Sequence, residues 1–262
     1  MVIRLNLSPG PVDFRRFISI ESEGLMMPHW SIAFAELHET VAKNLRLLLE
    51  IPDQGEIAFT ATSGTGTLEI LLLNVLKQDE RILVLANGFF GERLSRMTNA
   101  LGFKPYTLGM VWDSPIDVSQ VLDMISSKEF QGTKAVVVVH LETSTGILND
   151  IATIGQALKD SEALYLVDAV SSVGPHLIEM NKWGIDGLVT VAYKGLLSPP
   201  GLSIIALSKK YYEVLSKHSI QSYYFDLKKI IELSRKHTTV STVPVNAMIV
   251  LDRVLKYMVQ QH

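Results

Sequence analysis

Cysteine is absent from all 262 residues. That excludes disulfides, thiolate metal sites, a cysteine nucleophile and any persulfide carried on this chain. Long apolar runs are missing as well. Stretches such as Ala135 to Val139 are far too short to span a bilayer, and Met1 to Gly10 holds no continuous apolar segment of the signal-peptide kind. Neither sign of charge dominates: 24 Lys and Arg against 27 Asp and Glu leave a formal net charge of -3. Such a balance offers no electrostatic footprint for nucleic acid or for an anionic membrane. The basic pairs Lys209-Lys210 and Lys228-Lys229 stand alone and read as solvated faces. The seven histidines lack metal-ligand spacing. The expectation is a soluble cytoplasmic protein without nucleic-acid, membrane or metal partners.

What is present is the material of a large core, with 47% hydrophobic and 19% charged residues. A chain of this length builds one big domain, or one plus an appendage. Short β-rich runs alternate with helical stretches. Glu56–Thr60, Arg81–Leu85, Ala135–His140, Ala163–Val167, Leu188–Ala192 and Leu202–Leu207 read as buried strands. Ser31–Glu50, Thr67–Leu76, Phe90–Leu101, Val118–Ser127 and Ile151–Lys159 read as helices, followed by Lys209–Lys217, Asp226–Ser234 and Val245–Gln260. Strands without an exposed face, alternating with helices, predict a three-layer α/β/α fold around a mostly parallel sheet. The Pro199-Pro200-Gly201 connection is too short for a helical crossover, so Leu202–Leu207 is expected to run antiparallel to the strand before it.

Three motifs carry chemistry. Thr62-Ser-Gly-Thr-Gly-Thr67 is a small-residue turn between a strand and a helix, where unpaired N–H groups and the helix dipole bind phosphate. A tight turn with Thr67 capping its helix is the plainer alternative. Val167-Asp168 ends an apolar strand in a carboxylate, which either caps the next turn through Ser171 or Ser172 or pairs with a buried cation. Lys194 follows a β-run and precedes Gly195; a poorly solvated lysine is a nucleophile and base, whereas a strand-end lysine can equally reach solvent. In this order, an anion cradle, a carboxylate and an amine are the parts of a pyridoxal 5′-phosphate site. The lysine makes the Schiff base and the carboxylate keeps the pyridine nitrogen protonated. Phe90 is a candidate to stack on the ring, and the polar loop Glu142-Thr-Ser-Thr-Gly146 follows a strand where functional groups collect.

With Ser8-Pro-Gly-Pro11, Ala86-Asn-Gly88, Pro199-Pro-Gly201 and Thr242-Val-Pro244 added, the ordered set resembles the class V, fold type I pyridoxal-phosphate aminotransferases. The alanine–glyoxylate/serine–pyruvate and 2-aminoethylphosphonate–pyruvate groups are the nearest in kind. The resemblance implies Lys194 as the Schiff-base lysine and Asp168 as the partner of the pyridine nitrogen. It implies Thr65, Gly66 and Thr67 as the phosphate turn, Phe90 as the stacking ring and Thr143 as a hydroxyl beside it. Thr242 matches a residue that reaches the cofactor phosphate of a neighbouring subunit, so a homodimer with a shared site is implied. The activity implied is transfer of an amino group between a small amino acid (alanine, serine or aminoethylphosphonate type) and a 2-oxo acid.

The chain departs from the family pattern in three places. Tyr193 stands where many relatives carry Gln as a phosphate contact, and Thr239 where some have Tyr. The chain also stops where the family continues into a smaller domain bearing the arginine that pairs with the substrate carboxylate. The expected organisation is an N-terminal arm over 1–20, a large cofactor-binding domain over 21–244, and the start of a truncated C-terminal domain over 245–262. A lyase of the same fold, a catalytically impaired binding scaffold and one subunit of a split enzyme are the competing readings.

Overall fold

The computed structural model describes Gly10 and residues 27–261. The arm expected over 1–20 therefore lies, apart from Gly10, outside the described residues. In chain order the elements are α1 (Ile32–Leu48), β1 (Glu56–Thr60), α2 (Gly64–Leu73), β2 (Arg81–Ala86), α3 (Phe89–Ala100), β3 (Lys104–Gly109), α4 (Val118–Ser126) and β4 (Thr133–Val139). They continue with β5 (Leu141–Glu142), β6 (Ile147–Leu148), α5 (Ile151–Ala157), β7 (Leu164–Asp168), β8 (Gly187–Val191), β9 (Ser203–Leu207), α6 (Lys209–Lys217), α7 (Leu227–Ser234) and α8 (Val245–Gln261).

Seven strands form one sheet in the order β1-β9-β8-β7-β4-β2-β3. β9 is antiparallel to β8, as the short Pro-Pro-Gly connection implies, and also to β1 on its other side. The remaining pairs are parallel. Alternation within a strand sends side chains to opposite faces. In β4, Val136 and Val138 enter one core with residues of α1, α4, α5 and α8, while Ala135, Val137 and Val139 enter another with α2, α3, α6 and α7. The result is the three-layer α/β/α architecture, with α8 packed into the same core as α1.

The apolar runs predicted as strands are strands, because burial on both faces leaves few polar positions to interrupt them. β3 was not legible in this way. It is the sheet edge, mostly exposed, and its Lys104-Pro-Tyr sequence carries a proline that only an edge strand tolerates. The two-residue pair β5–β6 is likewise too short to register in a periodicity. At α2 the helix begins earlier than expected: Ser63, not Thr67, is the N-cap, its hydroxyl accepting from Gly66 N at 3.3 Å.

Two histidines are locked into this core. His38 is 1% exposed between Phe59, His237 and Ser234, and His140 is 4% exposed beside His176 and Trp183. Burial first, then the neighbouring His237 or His176, pushes each down from 6.5 to about 4. Both are neutral in the fold but titrate at their ordinary value once unfolded. Their stabilisation is thus complete above pH 6.5 and is lost as the pH falls toward 4. Urea unfolding of the wild type and His38→Asn from about pH 7 to about pH 4 tests this. The variant should lose stability more gently than the wild type over that interval; parallel pH profiles would remove His38 from the account.

Candidate active site

β1, β2, β4, β7 and β8 all point the same way, so the segments that leave their C-terminal ends meet at one edge of the sheet. Open α/β sheets bind ligands at this edge. A cavity of about 130 Å³ lies there, and Asp168, Lys194, Phe90, Thr143 and Tyr193 all line it together with Ser63-Gly64-Thr65.

Asp168 ends β7 and is 4% exposed. Its Oδ1 accepts from Val170 N at 3.0 Å, so the turn after it is capped at Val170 and not through Ser171 or Ser172. Burial raises the Asp168 pKa; the Val170 N–H, Arg93 and Lys194 act in the opposite direction, and Glu142 adds to the rise. A carboxylate taken out of water in this manner either takes up a proton or stays charged beside a cation.

Lys194 follows β8 and donates from Nζ to Ser171 Oγ at 2.9 Å. Burial lowers its pKa, Asp168 opposes that shift, and Arg93 reinforces it. The two loops carrying Asp168 and Lys194 are pressed together at glycines. A Cβ on Gly195 would overlap Pro175 and Val173, and one on Gly174, which has φ +101°, would strike the Gly195 backbone. The Val-Gly174 and Lys-Gly195 pairs therefore set the spacing between carboxylate and amine.

The turn expected to bind phosphate is the start of α2. Gly64 N donates to the Tyr193 hydroxyl at 3.4 Å, placing that hydroxyl at the positive end of the helix. Thr65 faces the cavity. Thr67 is fully buried, donates to Ser63 O at 2.9 Å and bonds the Thr62 hydroxyl at 2.7 Å, so its side chain holds the turn from behind. Gly66 lies within the same first turn and does not line the cavity. Thr242 sits elsewhere, in a separate apolar depression with Met27, Trp30 and Pro244.

Phe90 and Thr143 are placed by one residue, Glu142, whose side chain is completely buried. Its Oε2 accepts from Phe90 N and Gly91 N, both at 3.0 Å, at the N-terminus of α3. Its Oε1 accepts from Ser144 N at 3.1 Å and Ser144 Oγ at 2.6 Å. Lys194 Nζ lies 5.8 Å from the Phe90 ring centroid, and the Arg93 guanidinium carbon 4.5 Å from it. Sequence reasoning named Ser171 only as a possible cap and Glu142 only as part of a polar loop, and did not name Arg93. Arg93 follows Phe90 by three positions on a helix, a spacing that puts both on one face and was available as a signal.

An amine of lowered pKa, a buried carboxylate and a helix N-terminus around one cavity suit a ligand with an electrophilic carbon, a cationic ring nitrogen and an anionic tail. The Aminotransferase class-V profile matches residues 20–262. A soluble hydrogenase small subunit from Synechococcus sp. (strain PCC 6716) is 31% identical over 251 residues, covering 95% of this chain and 65% of that protein. The serine–glyoxylate aminotransferase of Hyphomicrobium methylovorum is 31% identical over 208 residues, covering 77% of this chain and 50% of its own length. The solved alanine–glyoxylate aminotransferase of Nostoc sp. shares the fold with a TM-score of 0.89, at 23% identity, over 100% of this chain and 70% of that one. The chain spans 65% or less of the length of these two relatives.

Exchange of Glu142 for Gln puts an amide donor where four donors already converge. The expected loss is roughly 1–3 kcal/mol or more of unfolding free energy, the cost of a buried group left without its partner. Chemical denaturation measures it, and a stability equal to the wild type would contradict the assigned network.

Proposed function

Because the chain belongs to the class-V aminotransferase family, we propose that it transfers an amino group from a small amino acid to a 2-oxo acid with pyridoxal 5′-phosphate. The observation that carries this reading is the convergence of Lys194, Asp168 and the α2 N-terminus on one cavity. When bound, the cofactor supplies an electrophilic carbon for amines and a sink for the electrons left when a proton is removed beside the amine.

Lys194 would hold the cofactor through Nζ, and the same nitrogen, when free and unprotonated, would accept the proton from the substrate α-carbon. A low pKa suits both tasks, since only the unprotonated amine attacks or accepts a proton. Asp168 keeps a proton on the ring nitrogen, and the same interaction compensates its own burial. Ser63, Thr65, Gly66 and Thr67 form or brace the phosphate cradle, and the Tyr193 hydroxyl takes the position of the more usual Gln beside it. Phe90 and Thr143 line the same cavity, where Phe90 would stack on the ring and Thr143 would offer it a hydroxyl.

The substrate class, of alanine, serine or aminoethylphosphonate type, is supported by the motifs and by the name of the Hyphomicrobium relative. Hydrogenase names are carried by the Synechococcus protein and by a relative from Anabaena cylindrica, and are said of those proteins; the amine and carboxylate that line the cavity support the amine-transfer reading. A homodimer in which Thr242 reaches the neighbouring cofactor, a cofactor-binding domain over 21–244 with a further domain beginning at 245, and a cytoplasmic setting are parts of the same proposal. Among the described residues, no helix is long and apolar enough to cross a membrane.

Half of the reaction is directly observable. The protein loaded with pyridoxal 5′-phosphate and mixed with L-alanine should lose its visible absorption and release stoichiometric pyruvate. Lys194→Ala should slow the conversion by roughly 10²–10⁴-fold, the usual share of a positioned general acid–base. Equal rates in the two proteins would refute the role of Lys194, and no retention of cofactor by the wild type would refute the reading as a whole.

A further inference from the structure

Gly10 lies far from Lys194 in sequence but against it in space. A Cβ built on Gly10 would stand 3.1 Å from Lys194 Cγ, 3.2 Å from Cε and 3.5 Å from Cδ. A side chain at position 10 would therefore press on the aliphatic stem of the lysine, and the stem would have to give way by a few tenths of an ångström. The Gly10 φ of +150° independently favours glycine. At the other end, Lys194 Nζ is fixed on Ser171 Oγ at 2.9 Å.

We infer that Gly10 is a positioning residue for Lys194, closing over its stem so that the amine is presented to the cavity from one fixed, poorly hydrated conformation. The inference rests on the role proposed above for Lys194. Lysine has four rotatable bonds and a strongly hydrated head, and an unrestrained one would spend its time in water. A backbone passing this close to Cγ, Cδ and Cε limits that freedom before any reaction begins and covers part of the half-buried stem. Burial is the largest cause of the low Lys194 pKa, so a side chain that wedges the two apart should hydrate the amine and return its pKa toward the ordinary value. Gly10 touches neither cofactor nor substrate in this account. It acts through the lysine.

The test uses the whole chain without cofactor, labelled by acetic anhydride over a series of pH values, with each lysine peptide quantified by mass spectrometry. Only the neutral amine reacts. Gly10→Ala should move the Lys194 labelling curve to higher pH, with labelling near neutrality reduced roughly tenfold if the shift is about one unit. Lys104, which is 62% exposed, serves as the internal reference and should not move. Gly102→Ala imposes a positive φ on alanine at +81°, with only Gln78 nearby at 3.5 Å. It reproduces the backbone strain away from the site and should leave the Lys194 curve unchanged. An unshifted curve in Gly10→Ala, or an equal shift in Gly102→Ala, overturns the inference. Because the readout needs no cofactor, a chain that failed to bind pyridoxal 5′-phosphate would end the functional reading while leaving this result standing.

Discussion

The removal of a carboxylate and an amine from water at the same edge of the sheet is the constraint on which the rest of the site depends. Asp168 is buried and Lys194 half-buried, and a charge withdrawn from water without a partner loses hydration in proportion to its burial. Brought close, Asp168 and Lys194 offset part of each other's penalty, yet burial still dominates both pKa shifts. The balance leaves the amine easier to deprotonate and the carboxylate in need of a positive partner. An enzyme that handles amines on a cationic ring has use for both tendencies.

Rigid backbone makes this balance possible. The carboxylate sits at the end of a strand with neighbours on both sides, and the lysine loop is pressed against it at Gly174 and Gly195. The opposite wall is organised by Glu142, which fixes the α3 N-terminus and the Thr143 loop through four hydrogen bonds. None of these contacts performs chemistry. They determine where the reacting groups stand, and small displacements of such groups are costly.

Much of this was legible in the residues themselves. β1, β2, β4, β7, β8 and β9 were visible because burial on both faces writes an apolar run into the chain. Lys194, Asp168 and the Ser63–Thr67 turn each have a plain structural use alone, and were visible as a site because they occur together, in this order, at the ends of such runs. β3 was hidden by its exposure at the sheet edge, and the start of α2 was displaced because Ser63, not Thr67, caps it. The roles of Ser171 and Glu142 were hidden for a different reason: they depend on neighbours brought together only by the fold. Glu142 in particular looks like one more polar loop residue until its partners across the loop are known.

The central claim is that Lys194 is the residue to which pyridoxal 5′-phosphate becomes attached. The most direct measurement is borohydride reduction of the cofactor-loaded protein, followed by proteolysis and peptide mass spectrometry. The account predicts a single reduced adduct, on the peptide containing Lys194 and on that side chain. An adduct on another lysine, or one scattered over the exposed lysines with Lys194 unmodified, would contradict it.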